Sequence, residues 1–464
     1  MTSTVTSTIT RGIEVLRAQD GPLYEVLERE QRRQAGTISM VASCSTVHPS
    51  ILACQASSAV NVTAEGYPGR RYHAGCEVID EIEELAIERA RTLFGARYVN
   101  VQPHSASTAN YSVLSALLDP GDTLLGMDLN SGGHLTHGSP AALSGNYWNA
   151  IGYGLTPECE IDYDEVRQLA LQHRPRVIIC GATAYPRTID FAAFRRIADE
   201  VGAVLMADIS HTAGLVVTGL HPSPIDHAHI TTTCTHKQLA GPRGGLIISG
   251  RDADQLLPGR DRTVRQLMQR AVFPFTQGAP ALNAIAAKAR TFSLAAQPAF
   301  RQTAQRIRDL ADAIAEEFAD AGLTVVSGGS QNHIVLVDLG SRMSGLVAEE
   351  ALEECRIVVN KNRVPGDTRA ALVTSGLRIG TNSSAQRGMS VPDGRRCARL
   401  VIETLNGVEI IDDKHYRLPD DVRERTQEQV ADIVSRYPLV GYPLPQMPIG
   451  VVEQPVVLTI LTTV

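Results

Sequence analysis

The sequence has little that would take the chain to a membrane, a nucleic acid or an oxidising compartment. In 464 residues no apolar stretch approaches the ~20 that a bilayer span requires. The opening MTSTVTSTIT lacks a basic segment followed by an apolar run, so no secretory signal is expected. Lys and Arg number 43 against 50 Asp and Glu, and a net charge of −7 offers no basic stripe to nucleic acid or anionic lipid. Eight cysteines, at 44, 54, 76, 159, 180, 234, 355 and 397, show neither CxxC spacing nor histidines at ligand intervals. No metal is expected, and the thiols read as those of a reduced, cytoplasmic protein. What is present is ordinary for a large globular chain: 43% hydrophobic and 20% charged residues, enough for two domains in one subunit. The ligand is therefore to be sought in a pocket.

One stretch organises the rest: Thr231 to Gly245, TTTCTHKQLAGPRGG. Four threonines around Cys234 suit an extended segment, and Gly241-Pro242 with Gly244-Gly245 turns the chain directly afterwards. Lys237 is thus displayed at a turn. A lysine amine condenses with an aldehyde once burial and a neighbouring cation lower its pKa, which is how pyridoxal phosphate (PLP) is held. Most lysines beside glycines are simply solvated, so the case rests on the neighbours.

Along the chain, apolar spacing predicts a helical arm over about 12–33 after a frayed start, and a second helix over 77–93. A short strand from Tyr98 leads into Ser105-Ala106-Ser107, a turn opening a helix whose hydroxyls and free N–H groups suit an anion. Strands are predicted at 122–129, 176–180 and 203–208, with a helix over 191–201. Such alternation predicts an α/β unit with a mostly parallel sheet and ligands at the carboxyl ends of its strands. Asp208 falls at such an end, where a carboxylate can keep a pyridine nitrogen protonated. Beyond 320, strands at 323–326 and 333–339 alternate with helices at 348–355 and 393–405, an α+β layer. Arg378 sits in an apolar run between Leu377 and Ile379, where a solvated charge is unexpected.

The Lys237 stretch resembles the PLP-lysine motif of the serine hydroxymethyltransferase family. AEGYPG (64–69), QPHSAS (102–107), GGHLTHGSP (132–140), VNKN (359–362) and TSGLRIGT (374–381) follow in that family's order, over roughly residues 15 to 443. The resemblance implies the PLP-dependent aminotransferase-type fold (fold type I): an N-terminal arm (1–35), a large domain with a seven-stranded-type sheet (36–320), a small domain (321–444) and a tail (445–464) without counterpart. It implies a homodimer with shared active sites, which could pair further into a tetramer, and tetrahydrofolate as cosubstrate. Lys237 would carry PLP, with Ser105, Ala106, Ser107, His134, Thr183, Asp208, His211, Thr235, His236 and Gly278 around it. His134 would stack on the ring, and Ser43, Arg378 and His211 would hold the amino acid. Glu65, Leu129, Leu135 and Asn362 would meet folate.

Three departures stand out. Cys44-Ser45 replaces a Glu-Asn pair, Ala279 replaces a glycine, and Thr63 and His73 stand where family members carry tyrosines lining the site from the neighbouring subunit. The loss of two phenols beside Cα would open room for an α-methyl group. The expectation is therefore an α-methylserine (D-alanine) hydroxymethyltransferase, in which Glu65, His134, Thr63 and His73 join Lys237 in catalysis. The alternatives are an ordinary serine/glycine enzyme, a folate-independent threonine-type transaldolase or aldolase, and a non-enzymatic PLP- or RNA-binding relative.

Overall fold

The computed structural model describes residues 4–443, so the tail at 445–464 lies outside the described residues. It begins with two helices, α1 (Thr4–Gln19) and α2 (Gly21–Ala35), rather than a frayed start and one helix. The break falls at Asp20, whose carboxylate accepts from the Leu23 N–H, with Pro22 in the first turn of α2 where no donor is needed. Neither helix buries a residue against its own chain, and Leu23, Val26 and Leu27 stay exposed.

A seven-stranded sheet forms the centre. Its strands are β1 (Tyr98–Asn100), β2 (Thr123–Met127), β3 (Asn149–Tyr153), β4 (Val177–Gly181), β5 (Val204–Asp208), β6 (Ile230–Cys234) and β7 (Gly245–Ser249). In space they run β1-β7-β6-β5-β4-β2-β3, parallel except for β7, which is antiparallel to both its neighbours. Alternate side chains serve two cores: Ile178, Cys180 and Leu205 join one, Val177, Ile179, Val204 and Met206 the other. Strands covered on both faces read as unbroken apolar runs, which is why β4 and β5 were visible in the sequence. β3 was not: as an edge strand it is only partly covered.

Helix α3 (Glu77–Phe94) and helix α5 (Leu282–Ala295) pack together over one face, while α4 (Ala106–Leu117) starts at the end of β1. Helix α6 (Pro298–Asp320) leads into a second sheet of β8 (Thr324–Val325), β9 (Ile334–Asp338), β10 (Asn360–Asn362) and β11 (Gly376–Gly380), ordered β8-β9-β11-β10 and antiparallel throughout. A short helical turn at Ala271–Thr276, broken at Phe273, runs up to Gln277 and Gly278. The small layer also takes in the start of the chain: Ile38–Ser39 pairs in parallel with Ile357–Val358, and Ile38 and Met40 lie in the core of that layer, although 36–320 was assigned to the large domain.

Candidate active site

β6 ends at Cys234, and the lysine turn that follows is closed on itself. The Thr235 hydroxyl donates to the Pro242 carbonyl at 2.6 Å, and the Gly241 N–H donates to the Thr235 carbonyl at 2.8 Å. The Thr235 hydroxyl is thus committed within the turn. The Ser45 hydroxyl donates to the Lys237 carbonyl at 2.6 Å, so Ser45 steadies the lysine's main chain from outside. Gly245 has no room for a side chain: a Cβ there would stand 2.2 Å from the Ser105 carbonyl oxygen. The turn and the start of α4 are therefore in direct contact.

At that start, Ser105 is the N-cap, accepting from the Thr108 N–H at 3.0 Å. Helix geometry leaves the N–H groups of Ala106 and Ser107 without an intrahelical acceptor, beside the positive end of the dipole. The approach to the cup is pinned by Gln277, which accepts from the His104 N–H at 3.1 Å and donates to the Gln102 carbonyl at 3.1 Å. Gly278 follows, close to Glu65.

Asp208 closes β5 and is buried. One oxygen accepts from Asn110 Nδ2 (2.8 Å) and lies 3.2 Å from His137 Nε2; the other accepts from the Ser210 N–H (2.9 Å). Burial alone would raise its pKa, but the hydrogen bonds and the nearby imidazoles hold it well below the usual carboxylate range. Asn110 and His137 had no place in the sequence reading; Asn110 is held in turn by the Thr232 hydroxyl at 2.6 Å. His134, His137 and Asp208 present ligand atoms within 4.8 Å of one another, but Asp208 is already engaged by these donors. Burial, helped by His137, Lys237 and Arg378, draws His134 down to about 4, so its ring is neutral. His211 is also held well below the usual histidine range, chiefly by burial and then by Lys237. Burial also takes His236 down to about 4, and its Nδ1 is a buried atom with no partner in the chain.

Arg378, on β11, is buried and reaches across from the small layer: Nη1 donates to the Thr183 carbonyl (2.8 Å), Nε to Asn360 Oδ1 (3.1 Å). Ser43 follows Ala42, on which Gly380 of the same strand packs so tightly that a Cβ would stand 2.2 Å from the Ala42 Cα. Burial raises the Cys44 thiol, while Arg33, Arg378 and Arg243 pull it down.

The remaining residues form an outer set. Thr63 and His73 are exposed, with His73 Nε2 3.5 Å from Glu65 Oε2. Among the described residues no hydrogen bond or ion pair joins Thr63, Glu65 or His73 to Lys237, Asp208 or Arg378. Leu129 and Leu135 are exposed on the two short turns that flank Gly132-Gly133. Asn362 lies on β10, and Arg363 next to it donates to Asn130 at 2.7 Å, tying that strand to the Leu129 turn.

A cup of free N–H groups, a lysine at a closed turn and a buried carboxylate kept ionised by its donors fit PLP. Its phosphate, aldehyde and pyridine nitrogen need these three features, and the orphaned His236 Nδ1 and Ser210 hydroxyl add polar capacity that the protein leaves unused. Comparison with known proteins agrees. The family model described as Serine hydroxymethyltransferase matches residues 16–401. A serine hydroxymethyltransferase of Synechococcus sp. (strain JA-3-3Ab) is 45% identical over 442 residues, covering 92% of this chain and 97% of that protein. The chain belongs to the serine hydroxymethyltransferase family, PLP-dependent transferases of one-carbon units with tetrahydrofolate as cosubstrate.

Proposed function

We propose that the chain interconverts L-serine and glycine, passing the hydroxymethyl carbon to and from tetrahydrofolate. The similarity to a curated serine hydroxymethyltransferase over nearly its whole length carries this reading. Bound PLP supplies the electron sink for the pair left at Cα when the Cα–Cβ bond breaks. Lys237 would hold the cofactor's aldehyde, and Asp208, oriented by Asn110 and His137, would keep the pyridine nitrogen protonated. Neutral His134 stacks without adding a competing positive charge, His211 and Thr183 border the ring, and Ser105, Ala106 and Ser107 receive the phosphate. Arg378 and Ser43 take the amino-acid carboxylate. Glu65 handles the hydroxyl proton, and exposed Leu129 and Leu135 with Asn362 offer a flat apolar slot for the pterin.

Thr63, Glu65 and His73 act across a homodimer interface. Support comes from the exposure of Thr63 and His73, and from an arm, α1 and α2, none of whose residues is fully buried on its own chain. The cytoplasm is the expected location.

A second reading has its own observation. Glu65 faces the imidazole of His73 at 3.5 Å rather than a phenol, and Thr63 is small, which favours α-methyl-L-serine and D-alanine as the pair. Turnover of L-serine, α-methyl-L-serine and L-threonine, each with and without tetrahydrofolate, separates the readings. Folate-dependent glycine formation from serine is the expected result. Folate-dependent D-alanine formation with poor serine turnover selects the second reading, and folate-independent threonine cleavage overturns both.

A further inference from the structure

Lysine is scarce in this chain: it occurs at 237, 288, 361 and 414 only, where Lys and Arg together number 43. Two of these four meet the same turn from opposite sides. Lys288 lies in the inward stripe of α5 between Leu282, Ile285 and Phe292, and is 2% exposed. An amphipathic helix places an aliphatic side chain at such a position. The ammonium instead donates to three main-chain carbonyls, those of Val101, Pro103 (3.0 Å) and Gly245 (3.0 Å).

One of the three carbonyls, that of Gly245, belongs to the anion cup, and the other two lead into it. Val101 and Pro103 are the run-in to Ser105, and Gly245 leaves the lysine turn with its own N–H on the Pro103 carbonyl at 2.9 Å. Gly244 leaves the amine just enough space, since a Cβ there would stand 2.3 Å from Lys288 Cε. Among the described residues Lys288 has no ion-pair partner. Glu83, which acts on it at longer range, is committed to Arg71 (2.6 Å) and Gln102 (2.8 Å). A buried cation without a counter-ion is costly: burial draws the Lys288 amine down to about 7, so an anion in the cup would hold it charged. A well-packed apolar side chain in its place is often neutral or better for stability. Stability alone therefore does not account for it.

We propose that the Lys288 ammonium is the fixed cationic floor of the cup formed by Ser105–Ser107 and Gly244–Gly245, a positioning residue that selects a phosphate monoester. The cup's anion is its missing counter-charge. The three carbonyls hold the ammonium in place, so no side chain has to be ordered when the phosphate arrives. The proposal rests on the PLP assignment.

The test uses full-length apoprotein, Lys288→Met and Lys288→Gln, with PLP, pyridoxal (the same aldehyde without phosphate) and inorganic phosphate as probes. Binding to Lys237 is read from the absorbance of the lysine-linked cofactor, and phosphate binding from the thermal shift of the apoprotein. Expected is a loss of about tenfold or more in PLP affinity, worth ~1.4 kcal/mol, a pyridoxal affinity unchanged within about twofold, and loss of the phosphate-induced thermal shift. Gln retains two donors for the carbonyls without the charge, and gives the same pattern. Equal weakening of PLP and pyridoxal makes Lys288 a scaffold residue and overturns the proposal. Failure of both variants to fold, unrelieved by inorganic phosphate, overturns it likewise. A wild-type protein that shows no lysine-linked absorbance sinks the PLP assignment itself, an outcome visible before any substitution is made.

Discussion

His211 and His333 meet edge to edge, with Nδ1 of the first 3.3 Å from Nε2 of the second, centroids 5.4 Å apart and planes 20° from parallel. One follows β5 in the large sheet and the other precedes β9 in the small one, so the pair spans the two layers. Burial pulls both pKa values down, His333 to about 3, and a single proton between two neutral rings fixes the tautomer of each. His333→Leu leaves the His211 Nδ1 without that partner. It should cost about 1–3 kcal/mol in urea unfolding and shift the absorbance maximum of the bound cofactor. His333→Gln, which can replace the Nε2 contact, should restore most of both.

Arg378→Lys tests the carboxylate clamp. Lysine keeps the charge but cannot make two parallel N–H bonds, and cannot also hold the Thr183 carbonyl and Asn360. The KM for the amino acid should rise by roughly thirtyfold, equivalent to ~2 kcal/mol, with the KM for tetrahydrofolate nearly unchanged. An equal rise in both would assign Arg378 to domain packing.

Acid should loosen the site before it loosens the surface. His134 and His236 are drawn to about 4 and His333 to about 3, all by burial first, whereas an unfolded histidine titrates near ~6.5. Below ~6.5 the unfolded chain takes up protons that the folded chain refuses. Stability present above that pH is lost as pH falls towards about 4. Urea midpoints of the apoprotein at pH 7.5, 6 and 5 should decline steadily, and a flat profile contradicts neutral imidazoles at these positions.

Restoring the two phenols tests the wall. Thr63→Tyr with His73→Tyr removes the imidazole beside Glu65 and fills the space at Thr63. The ratio of kcat/KM for L-serine to that for α-methyl-L-serine should rise by about tenfold or more, the effect of a methyl group or two in a tight pocket. An unchanged ratio detaches these positions from substrate choice.

The sequence showed residues whose chemistry is local. Lys237 stood at a glycine turn, Asp208 at the end of an apolar strand, and Ser105 before a helix, each readable within about ten positions. Asn110, His137 and His333 were illegible because their roles depend on partners 98, 71 and 122 residues away. Lys288 hid inside a helical apolar stripe, where the pattern accounted for its neighbours and not for its charge. The break at Asp20 was missed although Asp-Gly-Pro carries both a cap and a first-turn proline, since apolar spacing continues across it.

The pairing of Ile38–Ser39 with Ile357–Val358 imposes an order on biosynthesis. A ribosome delivers Ile38 and Met40 early, then more than three hundred residues before the strand and core that cover them. In the large sheet between, β4, β5, β6 and β7 pair in the order in which they emerge, and only β1 waits, for β7. The small layer cannot form in that way, since it needs both ends of the chain at once, and its assembly is a late step of high contact order. Until then the first apolar strand stays uncovered on the nascent chain.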